Sequence, residues 1–163
     1  MKRPLKIICH LILLCLLSSG LILHANQQSN TNGELTMRAI VESTKSAGQV
    51  LTDIKTAAPN HKFGILNIHD LRQTLDTKGF PIKNACFVLD ICSPKFAQQV
   101  LSEDIGMAVA LPCRIAIYEE AGATKIATIK PSAVLAGLNP SPTLHTIAEE
   151  VEKAMIAIME EAK

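Results

Sequence analysis

The stretch ACFVLDICSPKFAQQVL, residues 85 to 101, constrains the fold more than any other part of the chain. Phe87, Leu89 and Ile91 alternate with Cys86, Val88 and Asp90, the period-two pattern of a strand with one face turned to a core. Ser93-Pro94 then stops the strand and starts a helix, with a capping hydroxyl followed by proline at the first helical position. Phe96, Ala97, Val100 and Leu101 continue at helical spacing. A strand that passes into a helix within two residues calls for a sheet with helices lying on it.

The segments on either side extend this pattern. From Leu35, the apolar positions Met37, Ile40, Val41, Ala47, Leu51, Ile54 and Ala58 follow helical spacing until Pro59, which predicts one helix. Gly48 within it implies close packing against a neighbour, since glycine there costs about 1 kcal/mol relative to alanine. KFGILNI predicts a strand and HDLRQTLDTKG a short helix, capped by Asp70 and ended by Gly79. IGMAVAL is an apolar connection, expected to be extended and to return the chain toward Cys92. CRIAIYEE and AGATKIATI form a hairpin around a glycine turn. PSAVLAGLNPSP is expected to be a loop with at most one helical turn. A final helix from about Thr143 carries Leu144, Ile147, Val151, Met155 and Ile158 on one stripe. The expected class is α+β: a mainly antiparallel sheet of about four or five strands with helices packed on it.

The first 25 residues differ in kind from the rest. Lys2, Arg3 and Lys6 precede the apolar IICHLILLCLL, then SSG and LILHA, the layout of a secretory signal peptide. The alternative is an uncleaved membrane anchor over residues 7–23, whose 17 residues sit at the short edge of a span. Residues 26–34 are a polar linker, and 35–163 form a single domain. The expected address is exported, in the periplasm, with membrane contact only through an uncleaved leader.

Of 16 Lys+Arg, the leader holds three, so the remainder has 13 against 15 Asp+Glu, about −2. With one tyrosine, no tryptophan and only Arg38, Arg72 and Arg114 left, the domain lacks the basic, aromatic face that nucleic-acid binding needs. No Ser-His-Asp signature, phosphate loop or HExxH motif appears, so nothing in the chain argues for an enzyme. The acid pairs Glu119-Glu120, Glu149-Glu150 and Glu160-Glu161 fit solvated faces, and Met155 and Met159 fit a core or dimer contact.

Chemistry therefore rests on the cysteines. Cys9 and Cys15 belong to the leader, and the domain keeps Cys86, Cys92 and Cys113. Cys92 precedes a helix start, where the dipole lowers a thiol pKa, and Arg114 adds a positive charge beside Cys113. A helix from 94 to 103 carries the chain roughly 15 Å away, and the seven residues of IGMAVAL can bring it back by as much as about 23 Å. Cys113 is then expected to meet Cys92 at one end of the sheet, with Cys86 roughly 20 Å off along its strand; a connection that stays at the far end would instead make the strands parallel and set the two thiols at opposite ends. Three readings stay open: a disulfide or close thiols, metal or haem ligation, and independent core residues. His69 and His145 are further metal candidates beside Cys92 and Cys113, although no tight ligand spacing is present. His61, His69 and His145 also fit surface or capping positions.

The order GILNIHDL…TL…KGF, VLDICSPKFAQQVLSED, LPCRIAIYEE and IKP resembles the family called domain of unknown function 302, over about residues 36 to 160. The most specific block is Cys92-Ser93-Pro94 with Leu111-Pro112-Cys113-Arg114. The resemblance implies a TATA-binding-protein-like α+β fold and a tendency to form homodimers, with Cys92, Cys113 and Arg114 as a candidate site. It implies no reaction and no cofactor. This chain departs from the family in adding Cys86 and the leader. The functional expectation is an exported homodimeric ligand-binding or interaction module. The alternative is a thiol-redox or metal/haem-handling protein using Cys92 and Cys113.

The leader reading is checked by intact-mass spectrometry of the protein made in a bacterial host. The soluble product should begin between residues 21 and 26, and an intact Met1 in the membrane fraction would establish the anchor instead.

Overall fold

The computed structural model describes residues 37–163, so the leader and linker expectations lie outside the described residues. The elements in chain order are β1 (Arg38–Ser43), α1 (Ala47–Asn60), β2 (Gly64–Asp70), α2 (Leu71–Thr77), β3 (Cys86–Cys92) and α3 (Pro94–Glu103). A 3-10 turn (Ile105–Ala110) follows, then β4 (Cys113–Glu120), β5 (Ala123–Ile129), α4 (Pro131–Leu138) and α5 (Pro142–Ala162). The five strands form one antiparallel sheet in the order β1-β5-β4-β3-β2. This is an α+β fold, as the alternating patterns imply.

One face of the sheet makes the core. Register places Leu89 opposite Ile115, Phe87 opposite Ile117, and Ile117 opposite Ile126, so these side chains share a face. Leu89, Ile91, Ile115, Ile117 and Ile126 are completely buried. Val50 and Ile54 of α1 and Leu144, Met155, Ile158 and Met159 of α5 are equally buried in the same cluster. The stripe read from the last helix is therefore its core face, and Met155 and Met159 are core residues.

The hairpin between β4 and β5 turns at Ala121 and Gly122, both with positive φ (51° and 82°), the backbone of a two-residue turn that suits twisted strands. Asp70 caps α2 by accepting from the Gln73 amide at 2.9 Å, and Gly79 ends that segment at φ 81°. Both signals were legible in the chain.

Four local expectations change. The single helix from Leu35 to Ala58 is a strand followed by a helix. Val41 and Ser43 point inward while Arg38, Ile40 and Glu42 alternate outward, and pairing with β5 satisfies their backbone groups. Ile40 and Val41 fit both periods, and tertiary pairing decided between them. Ser46 then caps α1, accepting from the Gln49 amide at 3.3 Å. The loop after Lys130 is the helix α4, with Pro131 at its first turn and Leu135 buried. The connection IGMAVA is coiled as a 3-10 turn rather than extended, with Asp104 accepting from the Gly106 amide at 2.8 Å.

Gly48 is the fourth. It is exposed, and a Cβ added there would meet no atom within 4 Å, so no neighbour requires glycine. Gly48→Ala should therefore stabilise the domain by about 0.5 kcal/mol through helix propensity and lower unfolded-state entropy. Thermal unfolding should show a rise of roughly 1–3 °C, whereas Gly122→Ala, at φ +82°, should lower the midpoint.

Candidate functional site

The end of β3 and the start of β4 frame a cavity of about 260 Å³. Its construction follows the chain. Strand β3 ends at Cys92, Ser93 turns the backbone, and α3 leaves the sheet from Pro94. The 3-10 turn returns to Leu111, a cis peptide joins Leu111 to Pro112, and Cys113 opens β4. Between the outgoing helix and the returning turn stays a space walled by Phe96, Ala97 and Val100 on one side and Val109 and Ala110 on the other. Phe63, Val134 and Val151 close it from three other segments, and the Phe63 and Phe96 rings sit 6.2 Å apart. The walls are overwhelmingly apolar, and polar groups enter only at Cys92, Ser93, Cys113 and Arg114.

Register places Cys113 directly opposite Ile91, so Cys92 is its diagonal neighbour across the strand pair. Cys86 stands at the other end of β3, opposite Tyr118. The antiparallel return thus sets Cys92 and Cys113 at one cavity and Cys86 elsewhere. All three thiols are free and partly buried.

Their electrostatics differ from what the sequence implies. Burial pushes the Cys113 thiol up to about 11, with the charge of a Cys92 thiolate adding to the effect. Burial also raises Cys92. Burial, then Asp70, raises Cys86. The expectation of an activated Cys92 is corrected on three physical grounds. Its apolar surroundings penalise the thiolate. Pro94 supplies no N–H at the first position of α3. And the Arg114 charge is engaged elsewhere.

That engagement is a row of charges on the outward face of the sheet. Asp90, opposite Arg114 in register, lies 3.3 Å from the Arg114 Nε and 2.9 Å from the His69 Nε2. These partners, His69 foremost, hold the Asp90 carboxyl below its usual range. Arg114 remains 70% exposed along its side chain and is one of the residues that border the cavity. His145 pairs with Glu149 at 3.7 Å on the surface of α5. Neither His69 nor His145 lines the cavity, and among the described residues no three His, Cys, Asp or Glu side chains gather as a metal would require.

Sequence reasoning missed three features here. Asp90 was placed on its face without being singled out, although a carboxylate in an otherwise apolar strand signals a partner across the register. Ser93 was read as a capping hydroxyl, yet its side chain makes no cap hydrogen bond. The cavity walls from Phe63, Val134 and Val151 had no local signal.

A family model for the domain of unknown function DUF302 matches residues 39–162. The chain belongs to the DUF302 family. The structure agrees: it is similar to the crystal structure of uncharacterized conserved protein DUF302 from Bacillus stearothermophilus, with a TM-score of 0.74 and 27% identity over 78% of this chain and 98% of that one. Among curated proteins there is no match. The cavity between Cys92 and Cys113 therefore lies inside the DUF302 domain itself, within the matched residues.

The raised Cys113 pKa makes a kinetic and a thermodynamic statement. Since the folded value exceeds the ordinary value of 9.0, this thiol adds stability that is fully present below pH 9 and lost as pH rises toward about 11. Peptide-resolved alkylation between pH 7 and 9 should label Cys113 several-fold more slowly in the native chain than in urea. Equal rates in the two states would show an ordinary, accessible thiol.

Proposed function

We propose that this DUF302 protein is an exported, homodimeric module that binds a small ligand in the cavity beside Cys92, Cys113 and Arg114. The observation that carries the reading is the cavity itself, apolar on nearly every wall and polar at one end only. That is the usual make-up of a small-molecule site, and its volume sits just below the usual range of about 300–1,000 Å³. The ligand is accordingly small.

Dimerisation is supported by apolar surface that the single chain leaves open. Ile40 and Ile129 are 41% and 57% exposed on the outward sheet face, and Ile105 and Val109 are 74% and 78% exposed on the turn beside the cavity. Exposed apolar side chains, where they gather into a patch, are characteristic of interfaces. Export is supported by the basic and apolar composition of residues 1–25.

The rival reading, thiol-redox or metal/haem handling through Cys92 and Cys113, draws on their adjacency at one cavity. It needs thiolates, and both thiols are pushed toward the neutral form. Binding to neutral walls is the better-supported chemistry.

A nuclear magnetic resonance titration with small apolar probes tests the binding reading. Hexan-1-ol and hexanoate should shift the amides of Ser93 to Ala97 and of Val134 and Leu135, and Ala97→Phe, which fills the space, should abolish those shifts without unfolding the protein. Sedimentation of the same sample should give twice the monomer mass at micromolar concentration, and a monomer throughout would remove the dimer from the proposal.

A further inference from the structure

Helix α2 ends in a stop that fixes the chain beyond it. Gly79 takes φ 81°, its N–H donates to the Asp76 carbonyl at 3.0 Å, and the Phe80 N–H donates to the Leu75 carbonyl at 2.9 Å. In this pattern of two bonds, the residue at the position of Phe80 commonly packs its apolar side chain back on the helix. Phe80 instead stays 72% exposed, and it belongs neither to the core cluster nor to the side chains packed against it. Pro81 and Ile82 follow, both exposed, Ile82 at 39%. The far end of the loop is tied as well. The Asn84 side chain donates to the Glu119 carbonyl at 2.9 Å, and the Ala85 N–H donates to the Glu119 carboxylate at 3.3 Å.

Positive charge brackets this apolar tip. Lys78 and Lys83, both exposed, stand on either side of Phe80-Pro81-Ile82 in the chain, and no acidic residue falls between Thr77 and Asn84. The segment thus concentrates two cations in a domain that is net negative. Single exposed apolar side chains are ordinary on a protein surface. An aromatic and an aliphatic side chain on a backbone tied at both ends, with a lysine beyond each, form a more specific arrangement. The apolar pair favours leaving water, the lysines favour a negatively charged boundary, and the interface of an anionic bilayer meets both demands. A second copy of the same tip would bring lysine against lysine. A protein groove would need carboxylates placed around an apolar pocket, whereas a lipid surface presents negative charge throughout.

We propose that the loop from Lys78 to Lys83 is a docking tip for an anionic phospholipid surface. Phe80 and Ile82 enter the headgroup boundary, and Lys78 and Lys83 rest on the lipid phosphates. This contact is separate from both the leader and the cavity. The tied backbone suits the role, because the order needed for docking is present in the free protein and little conformational entropy is lost on contact. One aromatic, one aliphatic and two cations give weak, reversible and salt-sensitive attachment.

The chain contains no tryptophan, so Phe80→Trp places a single fluorescent reporter at the tip. The full chain is titrated with vesicles of phosphatidylglycerol and phosphatidylcholine in equal parts, and with phosphatidylcholine alone. On the anionic vesicles the emission should move to the blue and be quenched by acyl-brominated lipid. On the neutral vesicles attachment should be at least tenfold weaker. Lys78→Gln and Lys83→Gln, added to the reporter variant, should each weaken attachment about fivefold, equivalent to about 1 kcal/mol per cation at such a surface. Ile105→Trp, a reporter at a residue 74% exposed elsewhere, should show neither the shift nor the quenching. The leader is common to every variant, so differences among them belong to the tip, and an unchanged thermal midpoint separates lost docking from lost folding. Emission insensitive to anionic vesicles would overturn the proposal. So would an equal response on neutral vesicles, which removes the role of charge, or an equal response from Ile105→Trp, which assigns the attachment to the leader. A blue shift that grows with protein concentration in the absence of lipid would overturn it in favour of a second copy of the chain.

Discussion

The pairing of β3 with β4 is the contact on which the rest of the structure depends. Leu89 opposite Ile115, and Phe87 opposite Ile117, place a row of large aliphatic and aromatic side chains on one face at the centre of the sheet. Met155, Ile158 and Leu144 of α5 are buried in the same cluster. Apart from the partly buried Phe87, each of these side chains is fully buried and contributes about 1.5–3 kcal/mol of transfer free energy, far more than any of the exposed ion pairs. A one-residue slip of the register would turn the whole row to solvent, so the hydrophobic set holds the register. The register in turn sets Cys113 opposite Ile91 and Arg114 opposite Asp90. The candidate site is a by-product of the core's geometry.

The two faces of the sheet have divided the chemistry between them. The inner face and the elements leaving it make an apolar cavity that holds thiols neutral. The outer face carries ion pairs in register, Glu42 with Lys125 and Asp90 with both Arg114 and His69. Arg114 borders the cavity and serves the outer row through its Nε. The same arginine that raises Asp90's preference for the charged form is thereby kept from activating a cysteine. The polar residues that border the cavity are Cys92, Ser93, Cys113 and Arg114, the thiols among them held neutral.

Much of this was legible along the chain, and its limits follow from range. Local chemistry announced the strand from Cys86 to Cys92, the proline-started helix behind it, the cap at Asp70, the glycine turn at Gly122 and the core stripe of the last helix, because each depends on neighbours within a few residues. The match to a DUF302 domain was carried by motifs of the same kind. Two segments were misread for the opposite reason. Arg38–Ser43 satisfies a helical and a strand period equally, and its partner is β5, more than 80 residues later in the chain. Pro131–Leu138 is eight residues long and becomes a helix against α5, a contact that no local pattern contains.

The sequence by itself determined the class of fold and the buried face of each central strand, since alternation and caps act locally and admit few topologies; it expected Cys92 and Cys113 to meet, but through an extended connection that is in fact a 3-10 turn. Only the tertiary structure decided what those cysteines are. Burial beside a cavity whose walls include Phe63, Val134 and Val151, drawn from three distant segments, pushes the Cys113 thiol up to about 11. Packing likewise left Ser93 buried at the cavity wall with no hydrogen bond from its side chain to its own helix. A pKa and an unmet hydrogen bond are sums over everything nearby in space, and nearness in space is what a linear chain does not record.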